Sequence, residues 1–169
     1  MSMMSIRAAM PRDREAIRLV EEHAFGQQAE AGLVDALLTD GDAVLELVAE
    51  EDGQVVGHIL FSRLVVRNGA KTSAAVALAP LAVEPSFHGT GIGGALIREA
   101  HLRLKNAGET LAVVLGDPAY YGRFGYSHER AAGFASAYQG EALQALAWGD
   151  APEKGELVYA AAFGTALAA

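Results

Sequence analysis

The spacing of apolar and polar positions changes rhythm along this chain, and each rhythm predicts a different element. Residues 5–9 read as a short first strand. From about Pro11 the period is helical: Pro11 sits early, Asp13 and Glu15 fall in the first turn, and Ile17, Val20 and Ala24 recur on one side. A second helical stretch, 28–39, gathers Leu33, Leu37 and Leu38 and stops at Gly41. Segments 43–50 and 54–66 read as strands flanking Asp52-Gly53, a two-residue hairpin signal. Asn68-Gly69 marks a second turn before an apolar segment at 74–83. Two such turns in succession predict an antiparallel meander.

Past Val83 the rhythm is helical again. Ile92, Leu96, Ala100 and Leu104 form one stripe, with Lys105 and Gly108 as stop signals. Residues 111–115 are fully apolar, and strand, helix, strand in that order implies a parallel crossover. Residues 118–124 read as a short helix and 156–163 as a late strand, while 129–155 carry no decisive pattern. The fold class expected is α/β (α+β): a mixed central sheet, an antiparallel meander followed by a parallel βαβ unit, with helices on both faces.

Composition narrows the class. The chain has 169 residues, 51% hydrophobic and 20% charged, so one domain of residues 1–169 with its own core is expected. Thirteen basic against 21 acidic residues leave a net charge of −8. Such a chain has no general attraction to phosphate backbones, so no nucleic-acid partner is expected, and small cations are mildly favoured. The absence of cysteine excludes disulfides, Cys-ligated zinc and thiol nucleophiles, and it fits a cytoplasmic location. The longest apolar run, 74–83, is about half the ~20 residues a membrane helix needs. The first residues lack the form of a signal peptide, so no membrane association is expected. His23, His101 and His128 have no metal-ligand spacing, so no metal is expected.

The most informative segment is 88–94, His-Gly-Thr-Gly-Ile-Gly-Gly, with four glycines in six residues immediately before a helix. Glycine lets the backbone turn sharply and approach a ligand closely. The first N–H groups of the helix lack internal partners, and the helix dipole adds about half a positive charge there. Together these suit a phosphate or diphosphate. A tight strand-to-helix turn alone would need only one or two glycines. Gly89, Gly91 and Gly94 formally match the dinucleotide pattern G-x-G-x-x-G, which keeps a nicotinamide-dependent oxidoreductase as an alternative. Against it, Pro85 and further residues intervene between strand and glycines, and the unit follows a meander. A P-loop is excluded because Ala95-Leu96, not Lys-Ser/Thr, follows Gly94.

The stretch from Leu81-Ala82-Val83-Glu84-Pro85 through His88-Gly89-Thr90-Gly91-Ile92-Gly93-Gly94 resembles the signature of the GNAT superfamily of N-acetyltransferases, Gln/Arg-x-x-Gly-x-Gly/Ala after a strand ending in Val-x-Pro. Gly91 and Gly93 match, and His88 stands where Gln or Arg is usual. Tyr121-Gly122-Arg123-Phe124-Gly125-Tyr126 resembles the family's Tyr-x-x-x-Gly-Phe, with Tyr126 in place of Phe. The region before it, 116–120, is shorter than the common form and is similar to a subgroup of uncharacterised bacterial acetyltransferases. The resemblance covers residues 5 to 130.

That resemblance implies acetyl-CoA as co-substrate and a primary amine, of a small molecule or a protein, as acceptor. The backbone of Leu81, Ala82 and Val83 would pair with pantetheine amides, which requires a bulge and splay after Ala79-Pro80. Backbone N–H groups of His88, Gly89, Thr90, Gly91, Ile92, Gly93 and Gly94 would hold the diphosphate. Tyr121 would give a proton to the departing thiolate, with the adjacent Tyr120 as the alternative for that role if the register shifts by one. Candidates for the base are His58, Glu46 and Glu50, and Glu84 is read as structural. A non-catalytic acyl-CoA-binding module would keep the same cofactor site without turnover. Trp148, Tyr159 and Phe163 lie outside the portable part of the family. They read as packing residues, with the acceptor pocket or a homodimer contact as the alternatives.

Overall fold

The computed structural model describes residues 3–167. A strand, β1 (Met4–Ala8), leads through a 3-10 turn into α1 (Arg14–Phe25) and α2 (Ala29–Thr39). The meander follows as β2 (Ala43–Glu51), β3 (Gln54–Asn68) and β4 (Lys71–Val83). Helix α3 (Ile92–Asn106) crosses to β5 (Leu111–Leu115). After them come α4 (Pro118–Tyr121), α5 (His128–Ala131), β6 (Phe134–Ala135), β7 (Leu143–Ala147), β8 (Gly155–Val158) and α6 (Ala161–Leu167). The strand order is β1-β2-β3-β4-β5-β7. All its pairings are antiparallel except β4 with β5, the expected crossover. Past the end of β2, β8 pairs with β3, and β6 pairs with β8.

Alternation along the central strands explains why both faces are covered. Leu60, Leu64, Ala75, Ala77 and Val113 turn toward α1, α2 and α6, where Ile17, Leu33, Leu37 and Phe163 meet them. Ile59, Phe61, Val76, Leu78, Ala112 and Val114 turn the other way and take the stripe Ile92, Leu96, Ile97, Ala100 and Leu104 of α3. Gly57 lets α3 lie close, since a Cβ there would stand 2.9 Å from Ile92 Cγ2.

One expectation is corrected. The late strand at 156–163 stops at Val158, and the chain turns into α6 at Ala161. Ala160, Ala161 and Ala162 favour helix, and only Glu156, Leu157 and Val158 find a partner in β3. The segment without a decisive pattern supplies β7, whose Leu-Gln-Ala-Leu-Ala fits strand or helix equally well on residue type.

Candidate functional site

The site is built where β4 leaves β5. The parallel ladder pairs Val76 with Ala112, Ala77 with Val113 and Leu78 with Val114, and ends there, although β4 runs on to Val83. Against β3 the register moves from Phe61 opposite Leu78 to Ile59 opposite Leu81, so β4 carries one extra residue, a bulge beside Ala79-Pro80. Pro80 has no N–H to give to a ladder. Glu84 N–H donates to the Val56 carbonyl at 2.8 Å. Strand alternation then turns the N–H and C=O of Leu81 and Val83 away from β3, into the gap. The Val83 carbonyl does point there, because it accepts from the His88 Nε2–H at 2.9 Å.

The gap opens into a cleft of about 570 Å³ whose walls include Leu81, Ala82, Val83, His88, Gly89, Gly91, Ile92, Gly93 and Gly94. Gly91 forms the N-cap of α3 with φ +85°, a left-handed conformation that suits glycine, and no side chain caps the helix. No acidic residue lies in its first turn. Its first N–H groups therefore face the cleft without a competing carboxylate. Thr90 does not line the cleft; its hydroxyl donates to the Phe87 carbonyl and braces the loop. Arg98 and Arg123 add positive charge to the wall. Both guanidinium groups lie over the Phe124 ring, at 5.0 and 5.2 Å, and Arg123 also lies 4.9 Å from the Tyr120 ring centre. Sequence reading did not single out these two cations. Arg98 was within reach of it, because it follows Gly94 by one helical turn and shares its face.

The two adjacent tyrosines separate. Tyr120 lines the cleft, its hydroxyl 2.6 Å from where a Cβ on Gly93 would stand. Tyr121 lines a second cavity, of about 260 Å³, on the other side of Leu81; Leu81 and Phe25 border both. Gly116 makes room for Tyr121, since a Cβ there would stand 2.5 Å from its ring. The Tyr121 ring meets Tyr120 edge-on at 5.0 Å and Tyr126 at 6.0 Å. Burial pushes its hydroxyl up to about 12, so the phenol is protonated at neutral pH. Tyr159 and Phe163 line the same cavity, while Trp148 packs on His101 with ring centres 5.2 Å apart.

The three base candidates are engaged elsewhere. His58 is fully buried on β3, its Nδ1 2.6 Å from Glu21 Oε2 and its Nε2 2.8 Å from Glu46 Oε2. A carboxylate at each ring nitrogen calls for an N–H on both. Burial opposes the charge on His58, but the bonds to Glu21 and Glu46 outweigh it and raise its pKa. Glu46 also pairs with Arg14, and Glu50 with Arg7. With no exposed surface, His58 cannot meet an acceptor amine, and that expectation is withdrawn. Glu84 accepts from His23 Nδ1–H at 2.8 Å and ties the end of α1 to the end of β4, as the structural reading expected.

A strand edge opened beside an uncapped, glycine-rich helix start joins outward backbone amides and an anion-holding helix head in one cleft of an α/β fold. Residues 43–128 match the family model described as acetyltransferase (GNAT) domain. The uncharacterised N-acetyltransferase YhbS of Escherichia coli (strain K12) is 40% identical over 73% of this chain and 73% of its own length. YjhQ of the same organism, also an uncharacterised N-acetyltransferase, is 43% identical over 68% of this chain and 64% of its own, just under two thirds. A crystal structure of a GNAT family acetyltransferase from Brucella melitensis in complex with acetyl-CoA superposes with TM-score 0.81 at 42% identity, covering 95% of this chain and 98% of that one. The structure of YhbS from Escherichia coli in complex with CoA gives 0.87 at 33%, covering 95% and 92%. The chain belongs to the GNAT acetyltransferase family.

Proposed function

We propose that this chain transfers an acetyl group from acetyl-CoA to a primary amine, of a small molecule or a protein, by direct attack of the amine. The observation that carries the reading is the continuity of the open edge of β4 with the uncapped start of α3. An arm bearing amides fits the outward N–H and C=O groups of Leu81 and Val83, and a diphosphate fits the N–H groups at the head of α3. Each charge-assisted bond of the latter kind contributes roughly 1.5–3 kcal/mol. Arg98 and Arg123 suit the remaining phosphate charge. His88 must release the Val83 carbonyl if that group is to serve the arm.

Acetyl-CoA supplies the activated acyl carbon. Leu81 and Val83 hold it in line with the cavity on the far side of Leu81, and holding two reactants in line removes much of the barrier. An outward N–H of this strand polarises the carbonyl. Tyr121 keeps its proton at neutral pH and gives it to the sulfur as the carbon–sulfur bond breaks. Two protons leave the acceptor nitrogen when it enters as an ammonium; one replaces the proton lost by Tyr121 and the other goes to solvent. The absence of cysteine and of any helix long and apolar enough to cross a membrane, among the described residues, supports work in the reducing cytoplasm.

Thermal melting with and without acetyl-CoA tests the cofactor half. At 100 Kd the ligand stabilises by about 2.7 kcal/mol, a shift of roughly 5–11 °C for a domain this size. An unchanged melting temperature under acetyl-CoA, with a shift under NAD(H), would transfer the site to the oxidoreductase reading.

A further inference from the structure

The cavity beyond Leu81 has a composition that selects among amines. Its walls are mostly apolar or aromatic, including Leu33, Pro80, Val113, Tyr138, Tyr159 and Phe163. Tyr138, Tyr159 and Phe163 stand in a row: Tyr138 meets Tyr159 edge to face at 5.4 Å between ring centres, and Phe163 lies tilted against Tyr159 at 5.5 Å. One ionised side chain borders it among the described residues: Glu30, on the first turn of α2. Among the described residues that carboxylate is met by the neutral amide of Gln27 alone, at 3.0 and 3.1 Å, so its charge is unmatched there.

From this lining we propose that the acceptor is a monoamine on an uncharged, apolar body, an aryl-alkyl or alkyl amine, with its ammonium received by Glu30 and its body held by the Tyr138, Tyr159 and Phe163 row. The proposal rests on the acetyl-transfer reading and narrows it. Among the described residues no Lys, Arg or His lines the cavity, so a carboxylate or phosphate on the acceptor would enter without a counter-charge. A polyamine would bring a second ammonium to a wall with one carboxylate. Size agrees: a buried apolar cavity of about 150 Å³ takes benzene, and this one, at about 260 Å³, has room for a ring with a short arm. Tyrosine and phenylalanine faces also attract a cation on its way to Glu30. Burial pushes the Tyr159 hydroxyl up to about 12, so no phenolate supplies a second negative charge at neutral pH.

The test pairs turnover with direct binding. The full chain and its Glu30→Gln variant are given 2-phenylethylamine, hexylamine, spermidine, free lysine and a lysine-containing peptide. Free thiol is followed with acetyl-CoA, and amine binding by ligand-observed NMR with CoA present. The expected result is that 2-phenylethylamine or hexylamine exceeds spermidine, lysine and the peptide by at least about tenfold in kcat/KM. Glu30→Gln then raises the KM for that amine about tenfold, the loss of one charge-assisted bond, and leaves the KM for acetyl-CoA unchanged. Turnover that favours spermidine, lysine or the peptide overturns the proposal and leaves acetyl transfer standing. Selective binding of the apolar monoamines, weakened in Glu30→Gln but without thiol release, keeps the binding site and overturns acetyl transfer. Neither turnover nor selective binding overturns both.

Discussion

Replacing His58 by leucine removes the middle of a buried charged network while roughly keeping its volume. Three groups meet there: His58 and Glu21, both fully buried, and Glu46, whose side chain is 10% exposed. Glu21 Oε1 has no hydrogen-bond partner, so Glu21 relies on the bond from His58. In His58→Leu that carboxyl is left in an apolar wall, while Glu46 keeps Arg14. Breaking a buried pair by removing one partner costs about 3–5 kcal/mol, mostly as the uncompensated charge. For a domain of this size that lowers Tm by roughly 6–20 °C. Urea unfolding measures it: the midpoint should fall with the slope m unchanged. A second change separates network from packing. Adding Glu21→Leu to His58→Leu takes away the stranded carboxyl, so the double variant should regain part of the loss, a coupling of at least ~0.5 kcal/mol. A His58→Leu protein within ~0.5 kcal/mol of the parent, or two changes that simply add, would refute the ionic account and leave His58 as an ordinary packed ring.

The same network predicts a pH slope. The native pKa of His58 lies above its unfolded value of about 6.5, so its stabilisation is complete below that pH and is lost as pH rises through the native pKa; because burial also raises the pKa of Glu21, the reference is the His58→Leu/Glu21→Leu double variant, relative to which the parent should lose stability as pH rises through that window, read from urea midpoints. Tyr121→Phe should lower kcat about 10²–10⁴-fold in the free-thiol assay with the KM for acetyl-CoA little changed, and an unaltered kcat across pH would remove Tyr121 as proton donor. Gly91→Ala meets open space but must keep φ near +85°, so it should cost about 1 kcal/mol of stability and raise the KM for acetyl-CoA several-fold, checked by melting and initial rates.

Much of the fold was legible because strong local signals agreed with tertiary packing. Asp52-Gly53 is the first hairpin turn, the second falls one residue past its signal at Gly69-Ala70 because Asn68 pairs with Lys71, and the Ile92, Leu96, Ala100, Leu104 stripe is the buried face of α3. The glycines of the cleft were legible for the same reason: a left-handed Gly91 and a close approach at Gly93 leave their mark in residue type. His58 was not, because a histidine in an apolar run looks alike whether it faces solvent or two carboxylates; Glu21, 37 residues earlier in the chain, is invisible to any local pattern. The cavity beyond Leu81 was legible only in part: Tyr159 and Phe163 were candidate pocket residues and line it, whereas Glu30, Tyr121 and Tyr138 come from separate segments joined only by the fold. Strand β8 and helix α6 were confused because Ala-rich sequence following a short strand hides the boundary.

The extra residue in β4 explains how one strand serves both cavities. Before it, Ala75 and Ala77 face α1 and α2 while Val76 and Leu78 face α3. Unbroken alternation would send Leu81 and Val83 to the side of Ala75 and Ala77. With one residue added they pack instead on the α3 side. That change of face sets Val83 beside Gly93, with Val83 Cγ2 3.7 Å from where a Cβ on Gly93 would stand, and sets Leu81 on the wall shared by cleft and cavity. The ladder to β5 ends just before the same residues, at Leu78, so their outward amides are released where the side chains switch. A single irregularity thus creates the open edge and joins it to the cavity beyond Leu81. Pro80, which cannot donate to either neighbouring strand, keeps the ladder from closing over it.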